Sequence, residues 1–298
     1  MKKYINSGVM KLIFFFVTIS FIVSSCEDDI PNDYIMKTYV EAFLIVDEPI
    51  SGIKVLETQP LDKPFDLDAG WISDATVKIK NDGSIYELAY SNSTPKGYYL
   101  PDNSIKVKPG SIYELEIILK DGTRITGMTT TPNGSLQWVK PPKKEFYYPK
   151  DTLKLPGVDS LELEWTNVPD TYFYILSVVC NDTLEYGKYL SPANPDEKNR
   201  RAYNTFAKDN NDYYLEIPSW NFIANTKTPT VWLAFKWFGP QTVTIYAGDY
   251  NFLRWFMQAS NFSNNESDPL KYSVNNAIGV FGSAIKLSGD FFLFKNQP

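Results

Sequence analysis

The residue types that carry out most enzyme chemistry are sparse in this sequence of 298 residues. It contains no histidine and two cysteines, which excludes Ser-His-Asp and Cys-His catalytic sets and histidine-ligated zinc or iron sites. Closely spaced carboxylates do occur, in the pairs Asp66/Asp68 and Glu162/Glu164. Residues two apart on a strand share one face, whereas glycoside hydrolysis needs two acids about 5 to 10 Å apart across a cleft. We therefore interpret both pairs as solvated surface residues.

Oxygen ligands for calcium are concentrated in the run Asp209–Asp212. The run lacks the regular spacing and the terminal glutamate of an EF-hand loop. No metal site and no cofactor are predicted.

Cys26 is the residue with the clearest predicted chemistry. Lys2, Lys3 and Lys11 precede or flank the start of the apolar run 12–23, which is followed by Ser-Ser-Cys. Such a run extends about 18 Å as a helix, against roughly 30 Å of hydrocarbon in a bilayer, so it is typical of a signal peptide. The apolar run, two small residues and a cysteine resemble the bacterial lipobox. We predict a signal peptide at residues 1–25 and lipidation of Cys26; an ordinary signal peptide with an incidental cysteine is the alternative.

An acidic tether, residues 26–34, follows the predicted cleavage site. Glu27, Asp28 and Asp29 resemble the surface-export signal of Bacteroidota lipoproteins, although a plain solvated tether has the same composition. Display at the cell surface and a periplasmic orientation therefore both stay open. Loss of the leader removes only basic charges from a chain of 29 basic and 35 acidic side chains. The resulting acidic surface repels phosphates, so no nucleic-acid partner is expected.

Three Asp-Ser/Thr-Leu triplets resemble the acceptor for O-glycosylation in exported Bacteroidota proteins, with Thr152, Ser160 and Thr183 as the acceptors. The same triplets arise where a turn leads into a strand, because Asp and Thr favour turns. Both interpretations stay open.

Alternation of apolar and polar residues predicts a mainly β chain. Clear examples are residues 75–80 and 113–119, and the turn signals at 81–83 and 121–122 predict hairpins. We predict an immunoglobulin-like antiparallel sandwich at 35–131, a proline-bearing linker at 132–156 and a second β-rich domain at 157–298.

One short helix is predicted, at Asp249–Ser260. Asp249 is suited to cap it, and Phe252, Trp255, Phe256 and Ala259 recur on one face. We interpret this aromatic stripe as core.

Four features in sequence order resemble the Bacteroidota outer-membrane lipoproteins grouped as domain of unknown function 4249 (DUF4249). They are the lipobox with its acidic follower; ISDATVKIK (72–80) with GYYL (97–100) and PGSIYELEI (109–117); ELEWTNVPDTYFYILSV; and NNAIGVFG (275–282). The resemblance implies an immunoglobulin-like first domain, a second β-rich domain and an association with TonB-dependent outer-membrane transporters. It supplies no catalytic residues.

The leading hypothesis is a lipid-anchored outer-membrane accessory protein without catalysis that binds a TonB-dependent transporter. The alternative is recognition of a surface glycan or peptide by the second domain, through the loop 191–212 and through aromatic side chains. Those side chains are Trp220, Trp232, Trp237, Tyr147 and Tyr148, whose flat amphipathic rings suit a binding surface. Burial in the core is the competing interpretation of these rings. A hydrolase that uses carboxylates alone is the third hypothesis.

Overall fold

The structure is a computed structural model that describes most of the chain outside its N-terminus. The described residues are 34–60, 64, 66, 68–93, 95–148, 163–181, 192–194, 219–229, 235, 238–261 and 272–294.

Strands dominate the described residues, and one helix, α1 (Tyr250–Asn261), accompanies them. This confirms the predicted mainly β class with a short helix. The strands are β1 (Thr38–Ile45), β2 (Lys54–Glu57), β3 (Thr76–Asn81), β4 (Ser84–Ser91), β5 (Gly97–Tyr99), β6 (Ile112–Ile118), β7 (Arg124–Thr130), β8 (Trp138–Lys140), β9 (Glu145–Tyr147), β10 (Leu163–Trp165), β11 (Tyr174–Cys180), β12 (Ser219–Ile223), β13 (Lys227–Thr228), β14 (Gly239–Gly248), β15 (Val274–Asn275) and β16 (Ile278–Phe294).

The strands form two large sheets and one small one. The larger sheet has the order β12-β11-β14-β16-β1-β2, and β9 also pairs with β16. The second has the order β15-β7-β6-β3-β4-β5, and the small one the order β13-β10-β8. Neighbouring strands are antiparallel except in the β1–β16 and β9–β16 pairs, which are parallel.

The two large sheets enclose one hydrophobic core. Val40 of β1, Val77 of β3, Leu115 of β6, Val243 of β14 and Phe281 of β16 are all buried in it. The opposite face of the larger sheet is covered by α1, where Ile175, Phe252 and Ala284 form a second buried cluster. The layers are therefore sheet, sheet and helix.

Both predicted hairpins are present. Asp82 and Gly83 connect β3 to β4 with positive φ angles of 50° and 75°, as a two-residue hairpin turn requires. Between β6 and β7, Leu119 N–H donates to the carbonyl oxygen of Thr123 at 3.0 Å. Val77 and Ile79 are buried while Lys78 and Lys80 are only half-buried, so the predicted alternation of faces holds there.

Strand pairing crosses the domain boundaries predicted from the sequence. β1, from the first predicted domain, pairs with β16 over seven residue pairs, from Tyr39↔Ile278 to Ile45↔Ala284. β15, from the second, pairs with β7 of the first. The boundaries at 131 and 157 stay a prediction, and the sheets themselves join residues from both sides of them.

Close backbone approach holds β16 against β1. Gly279 has a φ of +126°, and a Cβ atom placed there would lie 1.9 Å from the carbonyl oxygen of Val40. Only a residue without a Cβ fits this position. The first glycine of the NNAIGVFG segment thus marks a point where the last strand contacts the first.

We expect Gly279→Ala to destabilise the fold by about 3 kcal/mol or more, because it combines an unfavourable φ with a clash against backbone. Gly83→Ala is the matched control: its φ is +75°, but no atom lies within 4 Å of the added Cβ, so the expected loss is about 1 kcal/mol. Urea unfolding measures both. Equal losses for the two variants would contradict the proposed clash.

Candidate functional site

Asp249 fixes the start of α1 against one strand of each large sheet. Its Oδ1 accepts hydrogen bonds from the backbone N–H of Phe252 at 2.9 Å and of Ser283 at 3.0 Å. The Thr129 hydroxyl on β7 donates to Oδ2. This confirms the predicted N-cap and adds two contacts that the sequence did not reveal, one to β16 and one to β7.

Asn251, in the first turn of α1, extends this connection. Its Nδ2 donates to the carbonyl oxygens of Met128 on β7 and Phe281 on β16, each at 2.9 Å. Across from it, Gly282 leaves room for the helix, since an added Cβ would lie 2.9 Å from the nitrogen of Phe252. The first turn of α1 is therefore held against both sheets.

The aromatic stripe of α1 packs largely as predicted. Phe252 is buried and contacts Phe43 edge-on at 5.1 Å between ring centroids. Trp255 contacts Tyr39 of β1 at 6.0 Å, and Phe256 contacts Trp220 at 4.5 Å. Burial of Tyr39, together with the nearby Glu41 carboxylate, raises the pKa of the Tyr39 hydroxyl. The side chain of Ala259 lies outside the described part of the helix.

A cleft of about 380 Å³ lies between the start of α1 and the outer face of the second sheet. Pockets of roughly 300 to 1,000 Å³ are typical of small-molecule sites. The charged residues that line this cleft come from three adjacent strands, β3, β6 and β7. Its other polar lining residues come from β7, α1 and the segment before β16. The charged residues are Lys80, Glu114, Glu116 and Arg124, and the polar ones are Thr126, Asn251, Ser273 and Asn275.

The charges in this cleft are largely paired. Lys80 Nζ lies 3.3 Å from Glu116 Oε2, and Arg124 Nε donates to the same oxygen at 3.1 Å. Hydrogen bonds from Arg124, and then from Lys80, lower the pKa of the Glu116 carboxyl. Glu114 lies opposite Lys80 on the neighbouring strand and beside Met128. Two cationic and two anionic side chains leave the cleft without net charge.

A smaller pocket of about 140 Å³ continues the cleft along α1. Asn251 and Ser273 line both parts. Tyr250, which is 70% exposed, Trp255 and Tyr272 supply aromatic walls. Arg254 also lines this pocket, with its guanidinium 5.8 Å from the centre of the Tyr250 ring. The combined site, which we name the helix cleft, thus has a polar floor and an aromatic end.

The segment before β16 closes one side of the helix cleft. Ser273 Oγ accepts a hydrogen bond from the Phe281 N–H at 2.8 Å. Asn275 Nδ2 donates to Thr126 Oγ1 at 3.3 Å, and Asn276 Nδ2 to the carbonyl oxygen of Arg124 at 2.9 Å. The asparagines of NNAIGVFG therefore attach this segment to β7.

The residues proposed for covalent modification lie outside the described residues. These are the lipidation site Cys26, the export-signal residues Glu27, Asp28 and Asp29, and the O-glycosylation candidates Thr152, Ser160 and Thr183. All remain predictions. Trp232, Trp237, Glu162 and the run 209–212 also lie outside the described residues.

The other predicted site residues are dispersed. Trp220 is 37% exposed and Tyr147 is exposed, whereas Tyr148 is buried. Asp68 binds Lys96 at 2.6 Å, and Asp66 accepts hydrogen bonds from nearby backbone. The structure does not bring these residues together in one site.

Sequence reasoning missed the charged floor of the helix cleft. Its residues belong to the polar faces of β3, β6 and β7, and the sequence predicts those faces as solvated. The available signal was the register of the β6–β7 hairpin, which places Glu114 opposite Met128. Lys80 joins this row only through the pairing of β3 with β6, which are not neighbours in the sequence. The contribution of α1 was not foreseeable, because it comes from more than 100 residues later in the chain.

Comparison with known families gives one match. The model described as "Domain of unknown function (DUF4249)" matches residues 26–284. The chain belongs to the DUF4249 family. This confirms the family resemblance of the sequence motifs. A search of curated proteins found no match to this DUF4249 chain.

Two kinds of feature are absent from the part of the chain that the structure describes. Among the described residues, no helix has the length and apolar character needed to cross a membrane. No group of three or more cysteine, aspartate or glutamate side chains in this part of the DUF4249 chain is arranged to hold a metal ion.

Stability should depend on pH through Asp249. Loss of hydration raises the pKa of its carboxyl, so the folded state binds the proton more tightly than an unfolded aspartate with a pKa near 3.9. The stabilising contribution is complete below that value and is lost as the pH rises through the folded-state pKa. The free energy of unfolding of the wild type, relative to Asp249→Asn, should therefore fall as the pH rises above about 3.9.

Asp121→Asn is the control of opposite sign for this measurement. The Thr123 N–H donates to Asp121 at 2.8 Å and lowers the pKa of that carboxyl. Its contribution is therefore present above the unfolded pKa and lost as the pH falls. Urea unfolding across the pH range measures both differences, and a flat profile for Asp249→Asn contradicts the assigned pKa direction.

Proposed function

We propose that this DUF4249 chain is a lipid-anchored accessory protein of the outer membrane that binds a partner and carries out no catalysis. The observation that carries the proposal is the position of Cys26. It follows an apolar run and two serines, and the family match begins at the same residue. A family unit that starts at the proposed acylation site supports removal of residues 1–25 as a leader.

Lipid attachment would determine where this protein acts. Each buried methylene contributes about 0.8 kcal/mol, so one short chain binds a membrane reversibly and two or more hold firmly. The acidic residues Glu27, Asp28 and Asp29 extend the tether between the anchor and the first strand. In this proposal they direct the protein to the cell surface, and a periplasmic orientation is the alternative.

The proposed partner is a TonB-dependent transporter in the same membrane. The family resemblance motivates this choice, and the acidic balance of the chain argues against a nucleic-acid partner. The fold supports a binding role because a rigid double sheet carries the helix cleft and several exposed apolar side chains. Examples of these side chains are Tyr172, Ile85 and Met128.

The second candidate function is recognition of a surface glycan or peptide. Trp220 favours it, because its partly exposed ring lies against Phe256 and Tyr246 and extends an aromatic surface beside α1. The aromatic end of the helix cleft lies on the same helix.

Replacement of the proposed acylation site should release the protein from the membrane. For Cys26→Ser we expect loss of incorporated radiolabelled palmitate and a shift from the outer-membrane fraction to the soluble fraction or to the uncleaved precursor. Cys180→Ser is the matched control, because Cys180 is a buried core residue. Unchanged labelling and fractionation of Cys26→Ser would contradict lipidation.

Association with a transporter is tested by affinity purification of the tagged full-length protein from native outer membranes in mild detergent. A TonB-dependent transporter should be recovered with the wild type at a near-stoichiometric level, as mass spectrometry measures. Cys26→Ser should recover much less, since it would no longer share the membrane. Recovery of no transporter from wild-type membranes contradicts the proposed partner, whatever the result for lipidation.

A further inference from the structure

We infer that the helix cleft binds an uncharged segment of an oligosaccharide. The inference rests on the second proposed function, recognition of a surface ligand, and assigns it a site and a ligand class. Five charged side chains of the helix cleft, Lys80, Glu114, Glu116, Arg124 and Arg254, and its three aromatic rings carry the inference.

The electrostatics of the cleft argue against an ionic ligand. Lys80 and Arg124 both bind Glu116, so neither cation is available as a dedicated site for a phosphate or a carboxylate. Glu114 compensates for the second positive charge of the polar floor, and the third cation, Arg254, lies over the Tyr250 ring at 5.8 Å. Over the polar floor a neutral ligand therefore meets compensated charges, whereas an anion would have to displace Glu116 from its partners.

The hydrogen bonds already made by the backbone of β7 argue against an extended peptide as the ligand. Strand addition requires a sheet edge with unpaired backbone groups. On this edge, Thr126 and Gly127 pair with β15, and the Met128 carbonyl accepts the Asn251 amide. The carbonyl oxygens of Arg124 and Thr130 accept Asn276 Nδ2 and Ser283 Oγ. Recognition in the cleft must therefore use side chains.

The side chains that remain are suited to sugar hydroxyls and ring faces. A hydroxyl both donates and accepts a hydrogen bond, and the floor offers carboxylate, amide and hydroxyl groups within one cleft. Tyr250, Trp255 and Tyr272 at the aromatic end supply flat apolar faces with polar edges. An elongated cleft that combines these features matches a short run of neutral sugar residues.

The test is isothermal titration calorimetry on the full-length protein in lauryldimethylamine oxide, a detergent without a sugar headgroup. The neutral probes are maltohexaose, cellohexaose, laminarihexaose, xylohexaose and mannohexaose, and hexagalacturonic acid is the charged probe. At least one neutral probe should bind at millimolar concentration or below and more tightly than the charged probe. Absence of binding by every neutral probe, or tighter binding of hexagalacturonic acid, would overturn the inference.

Two substitutions locate the binding. Glu114→Gln keeps the size of an exposed side chain and Tyr250→Ala removes a ring that is 70% exposed, so both variants should fold. Each should weaken the best neutral probe at least tenfold. Wild-type affinity in both variants would place the sugar elsewhere and overturn the assignment.

Matched controls keep the assignment separate from general effects on folding and from the anchoring proposal. Glu87→Gln lies on the same sheet and Met257→Ala on the same helix, and both residues are exposed outside the cleft. Their affinities should stay within twofold of wild type, and all four variants should keep the wild-type urea midpoint. Calorimetry in detergent does not depend on lipidation or on a transporter. Reduced transporter recovery with Tyr250→Ala, without any sugar binding, would instead make the cleft a protein contact.

Discussion

The arrangement of this molecule depends on the hydrogen bonds of one partly buried carboxylate. Asp249 caps α1, accepts a bond from the backbone of β16 and receives the Thr129 hydroxyl from β7. A buried polar group is tolerated when its hydrogen bonds are satisfied, and here the satisfying donors belong to three different elements. The carboxylate keeps all three bonds only while the three elements hold their relative positions. The position of α1, and with it one wall of the helix cleft, follows from this requirement.

β16 connects the start of α1 to the rest of the larger sheet. It pairs with β14, β1 and β9, and it approaches β1 so closely that Gly279 has no room for a side chain. β1 begins at Thr38 and β16 begins at Ile278. The β1–β16 pair therefore joins residues from near the two ends of the described chain. Non-local pairing of this kind forms late and slowly. The two predicted domains therefore contribute strands to the same sheet, and neither domain supplies all the strands of that sheet.

Local features were predictable from the sequence and long-range ones were not. The hairpin at Asp82–Gly83 and the cap at Asp249 were predictable because each depends on residues a few positions apart. Alternation also identified the buried face of β3 and β6. It could not identify the neighbour of each strand, since a period of two fixes the face and not the partner. The parallel β1–β16 pair and the helix cleft both depend on that missing information.

The topology also relates the cleft to the proposed anchor. Tyr34 is eight positions after Cys26, a span of at most about 28 Å when fully extended. The chain then enters β1, whose first residues pair with β2 and with the start of β16. Tyr39 contacts Trp255 at the aromatic end of the cleft, and Gly279, paired with Val40, lines the same pocket. The cleft therefore lies at the end of the larger sheet where the tether enters. If Cys26 carries lipid as proposed, the short tether holds this end of the larger sheet, and the cleft with it, toward the membrane.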